Sequence, residues 1–119
     1  MDKPVALGNC FQNGFRYLLS SEGNEKMFLV HGMVSGQKEL TEVRYHHCWI
    51  EYCEKVQGYN LWMVLDPSQD MKNPYIIPRD YYYKVAEVIE TNLKRYGRID
   101  ALILSVKQLH YGNWEELGD

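Results

Sequence analysis

Cys10, His47 and Asp66 are the residues whose types and spacing could build a nucleophile in this chain. Cys10 closes the tripeptide Gly8-Asn9-Cys10 ahead of an amphipathic helical pattern. His47 opens His47-Cys48-Trp49-Ile50-Glu51, and Asp66 precedes Pro67 at the end of Trp62-Met63-Val64-Leu65. A thiol at a helix start, an imidazole on one strand and a carboxylate on the next can supply a nucleophile, its base and an anion that orients the base. A free thiol with a pKa of about 8.5 is mostly protonated at neutral pH, and the positive end of a helix or a nearby imidazolium favours the thiolate. The spacing predicts Cys10 as the first helical residue with Asn9 as its cap. The unpaired backbone N–H of Cys10 could then help hold an oxyanion. The chemistry implied is acyl transfer through a thioester, with no cofactor required.

The elements that would position these groups follow from periodicity. Phe11, Phe15, Leu18 and Leu19 fall at i, i+4, i+7 and i+8, one helix face, and Ser20-Ser21-Glu22-Gly23 ends the pattern. Residues 27–34, 43–53 and 60–65 read as strands. The Gln57-Gly58 pair makes the last two an antiparallel hairpin, and both are apolar on both faces, as central strands are. If the turn centres on Val56-Gln57, His47 lies opposite Asp66. If it centres on Gln57-Gly58, Asp66 lies opposite Trp49 and diagonal to His47. Both registers put imidazole and carboxylate on one face, and a one-residue slip would part them.

Pro67-Ser68 begins a loop running to Asn73-Pro74, and Tyr75-Ile76-Ile77 fits a short edge strand. Tyr82, Val85, Ala86, Ile89, Leu93 and Tyr96 mark a helix stopped by Gly97, with Lys94-Arg95 in its last turn. Ile99, Leu102, Ile103, Val106 and Leu109 fit another helix, preferred over a buried strand across 101–106. The tail, Tyr111-Gly112-Asn113-Trp114, ends in polar residues that are expected to fray. The sum is an α+β fold, a small antiparallel sheet packed with helices, in one domain over residues 1–119.

Other assignments around the site compete less well. Glu51 shares the face of His47 but lies about 13 Å along the strand, Cys53 lies roughly 20 Å along, and His46 and Cys48 point to the other face. Asp70 falls in the loop. His31, beside Gly32, stays open as a cleft residue together with Asn9 and Trp49. The segments 35–42 and 67–74 are candidates for the cleft rim. Taken singly, Cys10 reads as a small buried hydrophobe, Asp66-Pro67 as a turn start, and Trp49 and Trp62 as core. Tyr81-Tyr82-Tyr83 reads as one buried ring and two amphipathic ones. Adjacent strand residues point apart, so His46, His47, Cys48 and Cys53 do not form a zinc site, and no Cys-x-x-Cys pair or phosphate-binding loop is present.

The chain has 119 residues, 45% hydrophobic and 24% charged, with a net charge of -3. That balance argues against electrostatic capture of nucleic acid or an anionic membrane. No run is apolar and long enough to span a bilayer. Met1-Asp2-Lys3-Pro4 lacks the apolar region of a signal peptide, and three cysteines without regular spacing do not suggest a disulfide framework. A reducing cytoplasm is the expected location.

His47-Cys48-Trp49-Ile50-Glu51, followed by Trp62 and Asp66-Pro67, resembles the transglutaminase-like core of the papain-like thiol enzymes. That family carries His-Ala-Trp-x-Glu on one strand, Asp-Pro at the end of the next and a Gly-x-Cys nucleophile at a helix start. Cys48 stands where the family has alanine. The likeness covers roughly residues 8–68 and implies a papain-like core with Cys10 as nucleophile, His47 as base and Asp66 as the residue that orients it. The chain is also similar to short bacterial and phage proteins with a His-Gly strand (His31-Gly32), the His-x-Trp segment and a Tyr-Gly-x-Trp tail. The activity implied is that of a protease or amidase, or an acyltransferase, acting on a peptide, protein or small amide or ester. The alternative is a catalytically inactive binding module on the same fold, which a short chain with little room for substrate-binding insertions also suits. The sequence leaves the oligomeric state open.

Overall fold

The computed structural model describes residues 5–20, 27–35, 44–67, 75–110 and 114, with the side chains of 5–10, 35, 44 and 45 outside that description. The element order is α1 (Val5–Ser20), β1 (Met27–Ser35), β2 (Arg44–Val56), β3 (Tyr59–Asp66), β4 (Tyr75–Pro78), α2 (Arg79–Val85), a 3-10 turn (Glu90–Asn92), β5 (Lys94–Tyr96) and α3 (Arg98–Gln108). The strands form one five-stranded sheet in the order β4-β3-β2-β1-β5, every neighbouring pair antiparallel. The fold is therefore α+β, with β2 at the centre.

Alternation along the strands divides the core in two. On one face Leu29, Cys48, Ile50, Leu65 and Tyr96 pack against Phe15 and Leu18 of α1, Ala101 of α3, and Trp114. On the other, Val30, Val34, Trp49 and Val64 pack against Tyr82 of α2 and Ala86. These are called the α1 face and the α2 face. Gly14 lets α1 lie close to the sheet, since a Cβ there would sit 2.8 Å from Cys48 Sγ and 3.0 Å from Leu29 Cδ1.

The hairpin, the strands and the final helix form where periodicity placed them, with β2 extended to Val56. Two expectations are corrected. First, α1 begins at Val5, so Asn9 is not its cap and Cys10 lies in its second turn; Val5, Ala6 and Leu7 carry the helix upstream without a break. In that turn a backbone N–H is taken up by the helix ladder rather than left for an oxyanion.

Second, the helix expected over Tyr82–Tyr96 ends at Val85. Glu87 turns the chain through a left-handed conformation (φ 53°), and the Ile89 N–H donates to the Met33 carbonyl at 3.1 Å. Lys94–Tyr96 then pairs with Leu29–His31 along the outer edge of β1. A strand sends successive side chains to opposite faces, so Tyr96 enters the α1-face core while Arg95 reaches Glu51 on the other face.

The polar residues after Trp114, expected to fray, lie outside the described residues. Trp114 itself is buried against Phe15, His31 and Tyr96, and its Nε1 donates to the His110 carbonyl at 2.9 Å. Among the described residues no helix is long and apolar enough to cross a membrane.

Candidate active site

The β2–β3 hairpin turns at Gln57 and Gly58, both with positive φ (52° and 87°), a geometry that suits the right-handed twist of paired strands. The pairing Ile50↔Leu65 and Glu51↔Val64 is the second of the two registers that keep His47 and Asp66 on one face. Continued one step, it brings Asp66 across from Trp49 and diagonal to His47. His47 Nε2 lies 2.9 Å from Asp66 Oδ2, with both side chains about nine-tenths buried. The carboxylate can only accept, so the imidazole donates through Nε2 and carries its basic lone pair on Nδ1.

A third group joins them. The Tyr82 hydroxyl of α2 donates to the same Oδ2 at 2.9 Å. Its ring lies against Trp49 at 5.2 Å between centroids, and Trp49 lies 5.9 Å from the His47 ring. Gly32 makes room for the indole, because a Cβ there would come within 2.8 Å of Trp49 Cη2. Trp49 is thus fully buried as a wall beside the pair, not an exposed cleft residue.

Further along the same face Glu51 is 0% exposed. Its Oε2 accepts from Trp49 Nε1 at 3.0 Å and from the Tyr83 hydroxyl. Its Oε1 pairs with Arg95 Nε at 3.1 Å and Arg79 NH1 at 3.5 Å. Burial first, and then the hydrogen bond to Glu51, raise the Tyr83 phenol well above its ordinary value, which keeps it a donor. The Arg79 guanidinium also lies 5.0 Å over the Trp62 ring. Consecutive tyrosines of α2 therefore fasten two carboxylates of the sheet, Tyr82 on Asp66 and Tyr83 on Glu51. An open cleft lined by Arg79, Asp80, Tyr83, Lys84, Glu90 and Arg95 lies beside Glu51 and carries both signs of charge.

Tyr82, Tyr83, Arg79 and Arg95 were not singled out from sequence as site residues. The Tyr81-Tyr82-Tyr83 run held the one available signal, since consecutive helical positions splay about 100° apart and can reach different targets.

Cys10 stands apart in one respect. It belongs to α1, which packs on the face opposite His47 and Asp66. Phe11 meets His31, and Asn13 Nδ2 donates to the Pro67 carbonyl at 3.1 Å, next to Asp66. The middle of α1 therefore lies at the end of the sheet where β2 begins and β3 stops. The side chains of Cys10 and Asn9 and the whole of Asp70 lie outside the described residues, as do 36–42 and 68–74 of the expected cleft rim.

His31 pairs with Cys48 across β1 and β2 and so faces α1, away from His47. It is 0% exposed, ringed by Phe11, Tyr96 and Trp114 at 4.9, 4.9 and 5.1 Å, and among the described residues neither ring nitrogen has a hydrogen-bond partner. Burial, with smaller contributions from His46 and His110, lowers its pKa from 6.5 to about 3. It is a neutral core residue and lines no cleft among the described residues. The same alternation separates His46 and Cys48 from His47, and no group of three His, Cys, Asp or Glu among the described residues could hold a metal ion.

No family model, curated protein or solved structure matches the chain.

Proposed function

We propose that the protein is a cysteine-dependent acyl-transfer enzyme of the protease or amidase type, built on a papain-like, transglutaminase-like core. The observation that carries this reading is the buried His47–Asp66 pair at 2.9 Å, located where α1 meets the end of β3. In this reading Cys10, on α1 one helical turn before Asn13, is the nucleophile and His47 its base. His47 takes the thiol proton on Nδ1, and Cys10 Sγ forms a bond to the substrate carbonyl carbon. The tetrahedral intermediate collapses as the same proton passes to the leaving amine or alcohol, leaving an acyl-thioester. Water, deprotonated by His47, then releases the acid and restores the thiol. Asp66 holds the ring in the tautomer this requires and stabilises its cation. The substrate class is a peptide, protein or small amide or ester.

The packing of α1 on the face opposite His47 favours a second reading, a catalytically inactive binding module on the same fold. The pH dependence of Cys10 alkylation separates the two, with the half-buried Cys53 as internal reference in the same peptide mass spectra. An enzyme shows a depressed Cys10 thiol pKa that returns to an ordinary value in His47→Ala. An ordinary thiol profile in both proteins refutes the enzyme reading and leaves the binding module.

A further inference from the structure

Helix α3 turns its apolar side outward. Ile99, Leu102, Ile103 and Val106 recur at i, i+3, i+4 and i+7, the spacing of one helix face, and Leu109, the left-handed residue that caps α3, follows them. The pattern would ordinarily mark the buried side, yet α3 faces the core with Ala101 and Leu104, and the five are between 43% (Leu102) and 87% (Leu109) exposed. Together they leave roughly 500 Å² of contiguous apolar surface, at the upper end of what a monomer shows.

We infer that this stripe is the interface of a homodimer, formed by two α3 helices packing antiparallel about a two-fold axis. Three features point to a second copy as the occupant. The stripe is largely self-complementary: about its centre, Ile99 meets Leu109 of the second copy and Leu102 meets Val106, pairs of similar size, while Ile103 lies beside the axis next to its own copy. Its area, before any rim is counted, is more than half of the roughly 800 Å² per partner of a standard interface. The rim charges also match, since the same register sets Asp100 near Lys107 of the second copy, and the two-fold repeats that pair. A lipid surface fits less well, because membrane-surface helices are rich in cations, whereas α3 sets Asp100 against Arg98 and Lys107 and the chain carries a net charge of -3.

Sedimentation velocity on the purified chain from low to high micromolar concentration tests this. The wild type should rise from its 14.1 kDa chain mass toward twice that value. Val106→Glu should remain a single chain with an unchanged circular dichroism spectrum, its dissociation constant raised by about 100-fold or more by the buried carboxylate. Leu109→Ser, at the most exposed position, should weaken association without any cost to the fold. Asp100→Lys should weaken it several-fold, and Asp100→Lys with Lys107→Asp should restore it. A wild type that stays single at every concentration overturns the inference, whether or not it then binds anionic vesicles. So does a dimer that folded Val106→Glu or Leu109→Ser leaves intact, or one indifferent to the reversal at Asp100.

Discussion

Tyr82 and His47 meet on one atom: each lies 2.9 Å from Oδ2 of Asp66, one reaching it from α2 and the other from β2. The carboxylate thus ties helix to sheet as well as orienting a ring. Two donors on one acceptor depend on each other, so their removal should not be additive. Tyr82→Phe keeps the ring against Trp49 and loses only the hydroxyl, an expected cost of about 1 kcal/mol. Asp66→Asn deprives both donors of a charged acceptor and should cost about 2 kcal/mol. The double variant, followed by urea unfolding, should fall short of the sum by at least about 0.5 kcal/mol. Strict additivity would mean that the two side chains do not share the atom.

His31 should make the fold sensitive to acid. Its pKa in the folded state, about 3, lies below the unfolded value of 6.5. Above pH 6.5 the ring is neutral in both states and its full contribution is present. As pH falls, the unfolded chain takes up a proton that the folded chain refuses, so stability drops until the folded pKa is reached. The loss attributable to this one group should be on the order of 4 kcal/mol by pH 3. His31→Phe fills the same aromatic surroundings without a titrating group. Its urea midpoint should fall less steeply than that of the wild type between pH 6.5 and 4. Parallel curves would rule out His31 as the source.

The parts of the fold legible in sequence were those set by local rules. Gln57-Gly58 named the hairpin, and the period of two along β2 and β3 put His47 and Asp66 on one face. The parts that were not legible depend on neighbours distant in the chain. Lys94-Arg95-Tyr96 extends a helical period by chance, and only the open edge of β1 makes it a strand. Glu51 looked like a strand residue too far from His47 to matter. The partners that make it the centre of a network, Arg79, Tyr83 and Arg95, come from α2 and β5, 28, 32 and 44 residues away. His31 looked like a cleft residue because nothing in its own segment shows that Phe11, Tyr96 and Trp114 surround it.

The Glu51 network should respond unequally to loss of its members. Glu51 is fully buried, whereas Arg95 and Arg79 keep much of their side chains in water. Glu51→Gln leaves two guanidinium groups facing each other without an anion between them, and should destabilise the fold by about 3 kcal/mol. Arg79→Ala removes one half-exposed cation and leaves Arg95, Tyr83 and Trp49 on the carboxylate, so its cost should stay within about 1 kcal/mol. Thermal unfolding of the two variants at one pH is enough to rank them, and equal losses would contradict the shared-carboxylate arrangement.

Gly14 sets how closely α1 sits on the sheet. A methyl group there would sit 2.8 Å from Cys48 Sγ, closer than real Cβ atoms come, and 3.0 Å from Leu29 Cδ1, a tight contact, and both neighbours are fully buried in the core. Gly14→Ala gains helix propensity of about 1 kcal/mol, but the overpacking it causes should cost about 1–3 kcal/mol. Net destabilisation is expected, together with displacement of α1 from β2. Cys48→Ala alone empties a small volume and should destabilise modestly. In combination it makes room for the new methyl group on one side, and should recover part of the loss while Leu29 continues to resist. Because α1 also carries Cys10, the pair of variants has a second readout. If Cys10 alkylation at neutral pH slows in Gly14→Ala and recovers with Cys48→Ala, the seating of α1 on β2 governs the thiol's environment; an unchanged rate would show that the N-terminal turns of α1 are indifferent to the contact at Gly14.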